Sequence, residues 1–306
     1  MDGLLQTLVI LFASVSLVAA APAQQSSQPI TSLSAASIAA FKPYSYYAAA
    51  GYCSPAKTLA WNCGGNCQAN PTFKPVAAGG DGDATQFWFV GYDPTLATVI
   101  VSHQGTDRSQ VLPWLTNANF FLKSLDRDFF PGVSSSVQTH SGFAHEHEKT
   151  APQILRAVKT TISKFGAKKV TMVGHSLGGA LALLDSVYLP LYISNVTFQT
   201  ITYAMPRVGN ANFADLASRG NTVTHINNKN DLIPILPGRT IGFRHPTGEI
   251  RIQDSGAWYR CPGSDNTNKL CTTGAVGSIF EGDQSQHDGP YDGVKMSSKC
   301  PSVLSS

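Results

Sequence analysis

Residues 169–189 restrict the fold of this chain more than any other stretch. They read as a β-branched run, KVTMV, then the pentapeptide GHSLG, then an almost continuously apolar run, GALALLDSVYL. The pentapeptide begins and ends with glycine because a Cβ at either position of so sharp a turn would collide with the adjoining strand and helix. The pattern therefore predicts a buried strand that turns directly into a buried helix, with Ser176 at the turn.

Other short runs along the chain alternate between strand and helix patterns. Strands are predicted where residues are β-branched or aromatic and bounded by polar residues or glycine, at residues 87–91, 98–103, 198–204 and 222–226. Residues 152–165 have the apolar spacing of an amphipathic helix, and residues 240–253 predict a hairpin around Pro246 and Thr247. This alternation predicts an α/β fold with a mostly parallel central sheet covered by helices on both faces.

The composition excludes several classes of protein. Of 306 residues, 42% are hydrophobic and only 13% are charged, which favours a large buried core over disorder. The net charge of +3 comes without a basic run, so we expect no nucleic-acid partner. After the first 23 residues no apolar stretch reaches the ~18 residues of a membrane span. Residues 37–306 are predicted to form a single domain, with the oligomeric state left open.

The amino terminus predicts a secreted, extracellular protein. An apolar run over residues 4–21 is followed by alanines at the spacing that signal peptidase cleaves, so residues 1–23 are predicted to be a signal peptide. The segment before this run has no Lys or Arg, which leaves an uncleaved membrane anchor as the alternative. Residues 24–36 are predicted to be an unstructured lead-in or pro-segment.

All six cysteines follow this leader, and an even number in a secreted chain predicts disulfides. Two pairs bracket short loops and a third would clasp the two ends of the domain: Cys63 with Cys67, Cys261 with Cys271, and Cys53 with Cys300. A zinc site would need two closely spaced pairs of Cys or His, and Cys63 with Cys67 has no second such pair. Neither a metal nor another cofactor is therefore expected. Asn195 begins the one usable glycosylation sequon.

A serine at an ordinary pKa needs a base, and the base needs an orienting carboxylate. In folds with this turn, the acid and then the histidine follow the serine along the chain. His287, in a loop-rich stretch, is the favoured base over His225 and His245. Asp231 is the favoured acid because it follows the predicted strand 222–226, at the edge of the sheet where α/β sites form.

Other acids and the oxyanion donors complete this predicted site. Asp254, Asp265 and Asp283 are rivals of Asp231. The backbone N–H of Leu177, at the start of the predicted helix, is one donor to a developing oxyanion. Thr106, in the loop after strand 98–103, is the other.

Apolar residues are concentrated in a segment that we expect to form a lid, residues 107–117. Their exposure would be unusual in a soluble monomer, so they either close over the cleft in water or pack in the core: Val111, Leu112, Trp114 and Leu115. Ile233 and Ile235 are candidate walls of an acyl pocket, or core. His145-Glu-His-Glu148 lacks the histidine spacing of a helical zinc site and is interpreted as a solvated helix start.

Five motifs together resemble those of the secreted fungal class 3 lipases, a family of α/β-hydrolases that includes feruloyl esterases. They are GHSLGGA at residues 174–180, AMPRVGN at 204–210, NDLIPILP at 230–237, HSGF at 140–143 and NANFFL at 117–122. The likeness covers about residues 40–300. One departure is Gln104, where the family usually has Arg before the glycine of the oxyanion loop.

The resemblance implies a nucleophile, Ser176, with Asp231 and His287 as its partners and Thr106 and Leu177 as the oxyanion hole. It also implies a disulfide between Cys53 and Cys300 that joins the N-terminal helix to the carboxyl end. The expected function is that of a secreted triacylglycerol lipase that forms an acyl-enzyme at a lipid–water interface. A feruloyl esterase and a lipid-binding protein with a silent triad are the alternatives.

Overall fold

A computed structural model describes residues 28–116, residues 121–296 and residue 300. The predicted signal peptide and residues 24–27 of the predicted lead-in lie outside the described residues. So do residue 117, the last of the predicted lid, residues 118–120, and the side chains of Arg108 and Trp114. Within the described ranges, no helix combines the length and the apolar character needed to cross a bilayer.

Thirteen strands form two sheets in the described part of the chain. The strands are β1 (Thr31–Ser32), β2 (Lys74–Gly79), β3 (Trp88–Asp93), β4 (Thr98–His103), β5 (Leu122–Ser124), β6 (Gln138–His140), β7 (Lys169–His175), β8 (Thr197–Tyr203), β9 (Gly209–Asn210), β10 (Asn221–Asn228), β11 (Phe243–Arg244), β12 (Glu249–Ile252) and β13 (Trp258–Cys261). The large sheet has the order β1-β13-β12-β10-β8-β7-β4-β3-β2, and the small sheet has the order β11-β9-β6-β5.

The centre of the large sheet is parallel and its two edges are antiparallel. The strands β4, β7, β8, β10 and β12 run parallel to one another. The pairs β1–β13, β13–β12, β4–β3 and β3–β2 are antiparallel. The prediction of an α/β fold is confirmed, but the sheet is mixed. Short turns join β3 to β4 and β12 to β13, and strands joined in this way can only pair antiparallel.

Helices cover both faces of the sheet. They are α1 (Ala35–Ala39), α2 (Lys42–Ala50), α3 (Pro55–Ala60), α4 (Gly65–Gln68), α5 (Arg108–Thr116), α6 (Ser141–Phe165), α7 (Leu177–Tyr188), α8 (Ala211–Ser218) and α9 (Thr272–Ala275). Val99 and Val101 of β4 pack with α6 and α7, whereas Ile100 between them packs with α2 on the opposite face. This alternation is the period of two expected for a strand buried on both sides.

The predicted hairpin at residues 240–253 is wrong. Its first half is β11 in the small sheet, and its second half is β12, which pairs with β10 and β13 in the large sheet. Gly248 has φ +105° and lies so close to the Val223 carbonyl that a Cβ would overlap it. The chain therefore turns there to run alongside β10, a long-range pairing that the local pattern does not reveal.

Two further expectations need correction. The lead-in is not unstructured throughout, since Thr31 and Ser32 pair with β13 at the sheet edge and α1 begins at Ala35. The solvated helix start at His145-Glu-His-Glu148 is wrong for His147, which is fully buried inside α6. Its side chain hydrogen-bonds to Asp185, and a partner that distant in sequence is invisible to a local pattern.

The structure pairs the cysteines as expected: Cys53 with Cys300, Cys63 with Cys67, and Cys261 with Cys271. The first bond joins positions 247 residues apart and ties the end of the described chain to the segment after α2. Asn195 is exposed in the bend before β8, and its glycosylation stays a prediction.

Candidate active site

Ser176 lies on the sharp turn predicted from the pentapeptide. It has φ 58° and ψ −126°, between the last residue of β7 and the first residue of α7. A Cβ on Gly174 would overlap the backbone at Gly178, and a Cβ on Gly178 would overlap the carbonyl of His103. Such a strained conformation persists only where the surrounding packing enforces it, which is typical of functional sites.

The parallel strands bring the predicted site segments to one edge of the sheet. His103, at the end of β4, is in register with Gly174 of β7, so the loop that contains Thr106 begins beside the turn at Ser176. Tyr203 of β8 is in register with both His175 and Ile226 of β10. Because carboxyl ends of parallel strands meet at one edge, the segment after β10 also reaches this point.

Asp231 and His287 form a buried pair at this edge. Asp231 Oδ2 is 2.8 Å from His287 Nδ1, and both side chains are 1% exposed. The other carboxylate oxygen, Oδ1, accepts the backbone N–H of Ile233 at 3.0 Å. Since a carboxylate only accepts, His287 carries its proton on Nδ1 and directs Nε2 away from Asp231.

Two asparagines that precede Asp231 in sequence hold the loop that carries His287. Asn228 donates its side-chain amide to the carbonyl of Gln286 at 2.8 Å. The backbone N–H of Asn230 donates to Gln286 Oε1 at 2.7 Å. Both bonds end on the residue that precedes His287, so the position of the imidazole is fixed from the Asp231 side.

Ser176 and its predicted base, His287, are not hydrogen-bonded to each other in this structure. Ser176 Oγ and His287 Nε2 are both buried, and neither atom has a hydrogen-bond partner. The ring of His175, next to Ser176, nevertheless packs on the ring of His287 with centroids 4.5 Å apart. Serine–histidine bonds are often long without substrate and tighten in the reacting complex, so this geometry agrees with a nucleophile and its base at rest.

The rival histidines belong to a separate structural pair. His225 and His245 stack with centroids 4.7 Å apart, and their Nε2 atoms donate to the carbonyls of Pro246 and Pro234. Burial lowers the pKa of His225 to about 3 and that of His245 to about 4. Both imidazoles are therefore neutral and held by backbone carbonyls at physiological pH.

The rival acids also have other partners. Asp265 forms a buried ion pair with Arg207, 2.8 Å apart. Asp254 is 69% exposed beside Lys229. Asp283 accepts the backbone N–H of Ser285 at 2.8 Å.

Helix α5 covers the serine. Beside Ser176 there is a cavity of about 10 Å³, lined by Thr106 and Leu177 and by the apolar residues Val111, Leu115, Phe143 and Pro206. Val111 and Leu115 are 4% and 6% exposed, and both belong to the core that packs on α6 and α7. The sequence left two alternatives for these residues, a lid over the cleft or a place in the core. Both hold for Val111 and Leu115, because they cover the cleft by packing in the core.

Some predicted pocket residues lie elsewhere. Ile233 and Ile235 are buried but do not line the cavity, whereas Leu112 is partly buried against the core. Phe143 and Pro206 line the cavity and were not predicted to do so, although both belong to motifs quoted above. A second, polar cavity of about 600 Å³ also has Thr106 and Leu177 in its wall, together with Gln104, Glu146 and Lys149.

A second group of buried polar side chains joins β4, the strand before the loop of Thr106, to α7, the helix after Ser176. Asp185 of α7 contacts His103 Nε2 at 2.7 Å and His147 Nε2 at 2.9 Å. All three side chains are at most 1% exposed. The two histidines hold the pKa of Asp185 at about 2, below its ordinary 3.8, despite burial that acts in the opposite direction.

Replacing Asp185 by asparagine is expected to lower the free energy of unfolding by about 1–3 kcal/mol, because the carboxamide nitrogen cannot accept a hydrogen bond and one of the two buried imidazoles loses its acceptor. The stabilisation is present above pH 4 and disappears as pH falls towards 2, since the folded-state pKa is about 2 and the ordinary value is 3.8. Urea unfolding at pH 7 measures the loss, with Asp215→Asn on the exposed side of α8 as the matched control. Equal stability of the two variants would contradict the assignment.

Among the described residues, a single group of side chains has ligand atoms close enough together for a metal ion. The one group with suitable geometry is Glu249 with Cys261 and Cys271, and these two cysteines are joined in a disulfide. Buried Glu249 accepts the N–H of Thr272 at 2.6 Å instead.

Comparisons with known proteins show which family this chain resembles. The model of the family described as Lipase (class 3) matches residues 100–241. A secreted mono- and diacylglycerol lipase of Malassezia globosa is 28% identical over 240 residues, which cover 73% of this chain and 77% of the relative. A secreted mono- and diacylglycerol lipase of Malassezia restricta is 25% identical over 233 residues, covering 74% and 72%.

Solved structures show the same fold. The native Rhizomucor miehei lipase propeptide complex superposes with a TM-score of 0.76 at 21% identity, over 92% of this chain and 91% of that one. Lipase II from Rhizopus niveus gives a TM-score of 0.74 at 24% identity, over 89% and 100%.

Proposed function

Because this chain belongs to the class 3 lipase family and is a carboxylic-ester hydrolase, we propose that it is a secreted acylglycerol lipase with Ser176 as its nucleophile. The observation that carries the proposal is the buried Asp231–His287 pair, 2.8 Å apart, beside the strained turn that presents Ser176. Triacylglycerol hydrolysis is the reaction expected from the sequence, and the names of the Malassezia relatives add mono- and diacylglycerols as candidate substrates.

In the proposed mechanism, His287 Nε2 takes the proton of Ser176 as its oxygen attacks the ester carbonyl. The negative charge on the carbonyl oxygen is stabilised by the backbone N–H groups of Leu177 and Thr106. His287 then returns the proton to the departing alcohol, which leaves an acyl-enzyme on Ser176. Water, activated by the same imidazole, releases the fatty acid, while Asp231 stabilises the imidazolium in both halves of the reaction.

The position of helix α5 favours a lipid substrate over a water-soluble one. A cavity of about 10 Å³ is too small for an acyl chain, so α5 has to move before Ser176 can react. Movement exposes Val111 and Leu115, which a lipid surface would accept and water would not. A feruloyl esterase, with a polar segment at this position and a soluble substrate, is the weaker alternative.

Covalent labelling tests the nucleophile. A fluorophosphonate is expected to react stoichiometrically with the native protein, and peptide mapping is expected to place the adduct on Ser176 rather than on Ser186 of the same helix. Labelling requires an activated serine, so native protein that stays unlabelled in the presence of detergent would favour a silent lipid-binding protein.

Hydrolysis across the solubility limit of tributyrin tests the lid. We expect the rate to rise steeply when droplets form, since the lipid surface stabilises the displaced α5. Rates on emulsions of tri-, di- and monoacylglycerol then rank the substrates. A smooth saturation curve below the limit, together with faster turnover of methyl ferulate, would favour the feruloyl esterase.

A further inference from the structure

A buried chain of contacts connects three segments of the proposed site. Tyr52 Oη is 2.6 Å from His175 Nδ1, and His175 Nε2 is 2.9 Å from the carbonyl oxygen of His287. Tyr291 Oη donates to the same carbonyl at 2.9 Å. Tyr52 and His175 are 4% and 1% exposed, and neither has a role in the proposed acyl transfer.

The direction of these hydrogen bonds follows from the chemistry of the groups. A carbonyl oxygen only accepts, so His175 carries its proton on Nε2 and donates it to His287. Nδ1 is then an acceptor, and the hydroxyl of Tyr52 donates to it. Burial and the nearby His287 hold the pKa of His175 well below its ordinary 6.5, so this neutral form persists across physiological pH.

Tyr52 also contacts the loop that carries Thr106. Gly105 packs so closely that a Cβ there would overlap both Tyr52 Oη and the carbonyl of His175. The hydroxyl of Tyr52 thus contacts both the oxyanion loop and the turn of Ser176. Through His175, it is also connected to the loop of His287. Cys53, the next residue after Tyr52, is held by the bond to Cys300.

We propose that Tyr52 and His175 are positioning residues that hold the oxyanion loop, the nucleophile turn and the His287 loop at the spacing the transition state requires. Removing one link is expected to leave ester binding intact and to weaken transition-state stabilisation. Displacements of about 1 Å in a site of this kind cost on the order of 100-fold in rate. The neutrality of His175 also favours catalysis, because a cation with its ring centroid 4.5 Å from that of His287 would oppose the protonation of His287 during acyl transfer.

Tyr52→Phe tests the first link. Its matched control is Tyr47→Phe in α2, which loses an equally buried hydroxyl bond, 2.6 Å to Asp93, away from the site. We expect Tyr52→Phe to lower kcat about 10- to 100-fold per folded molecule on a soluble short-chain ester, with KM unchanged within about twofold. Affinity for a boronic acid, which imitates the tetrahedral intermediate, is expected to fall by the same factor.

Two variants of His175 test the second link. Glutamine can still donate to the carbonyl of His287, whereas alanine cannot, so His175→Gln is expected to retain more kcat than His175→Ala at equal folded fraction. Circular dichroism and the melting temperature give that fraction for each variant.

The outcomes separate this inference from the proposed function on which it rests. Wild-type kcat in folded Tyr52→Phe, or a rise in KM alone, would overturn the positioning role while ester hydrolysis by the wild type stands. Equal losses in Tyr47→Phe and Tyr52→Phe would also overturn it, because they would reflect general destabilisation. A wild-type protein without esterase activity would instead contradict the proposed function.

Discussion

Replacing Ser176 by alanine is expected to lower kcat by about 10⁶-fold, the loss that follows when a serine hydrolase loses its nucleophile. The acyl-enzyme cannot form, and the remaining oxyanion donors stabilise only the direct attack of water. Hydrolysis of a soluble short-chain ester in the presence of detergent measures the effect without involving an interface. The fold should be retained, since the hydroxyl makes no hydrogen bond in the structure.

Ser186→Ala is the matched control for this variant. Ser186 is also fully buried and lies on the helix that Ser176 precedes, but its hydroxyl donates to the carbonyl of Leu183 at 2.6 Å. It should keep wild-type kcat. A Ser176→Ala protein that retains more than about one thousandth of the wild-type rate would contradict a serine mechanism, because a triad member contributes more than that.

Asp231→Asn is expected to lower kcat by about 10⁴-fold while leaving the fold intact. The carboxamide nitrogen cannot accept the Nδ1 proton of His287, so the imidazole changes tautomer and presents a proton, instead of a lone pair, to Ser176. Steady-state rates on the same soluble ester give the loss. The backbone bond from Ile233 to Oδ1 can persist in the variant, which limits the effect on stability.

Asp254→Asn is the control for Asp231→Asn, because it removes the same charge from a side chain that is 69% exposed. Its kcat should be that of the wild type. The double variant Ser176→Ala, Asp231→Asn should be no slower than Ser176→Ala alone, since residues that act as one unit are not additive. Additive losses would show that Asp231 acts independently of the serine.

The features that were predicted from sequence are those that local patterns encode. The strands β4, β7, β8 and β10 are short, β-branched and buried on both faces, so their residues identify them without knowledge of their partners. The turn at Ser176 is similarly local, because its glycines are needed by the backbone itself. Asp231 and His287 were placed by their order along the chain and by motif resemblance.

The features that were missed depend on partners far away in sequence. His147 is buried with a hydrogen bond to Asp185. The strand β12 pairs with β10 instead of with β11. Tyr52 has no signal of its own, since one tyrosine after a short helix looks like any other core residue. Its contact with His175 spans 123 residues and becomes visible only when the sheet brings the two together.

Helix α5 also determines how many molecules can react in water. Burying a side chain such as Val111 or Leu115 contributes roughly 1.5–3 kcal/mol, so exposing both would cost about 3–6 kcal/mol. At that cost, about one molecule in 160 to one in 25,000 would have α5 displaced at any moment without lipid. A droplet surface that buries the same two side chains removes most of this cost, and the reactive population rises by the same ratio. The total area of droplet surface, rather than the concentration of dissolved ester, would then determine the rate of hydrolysis.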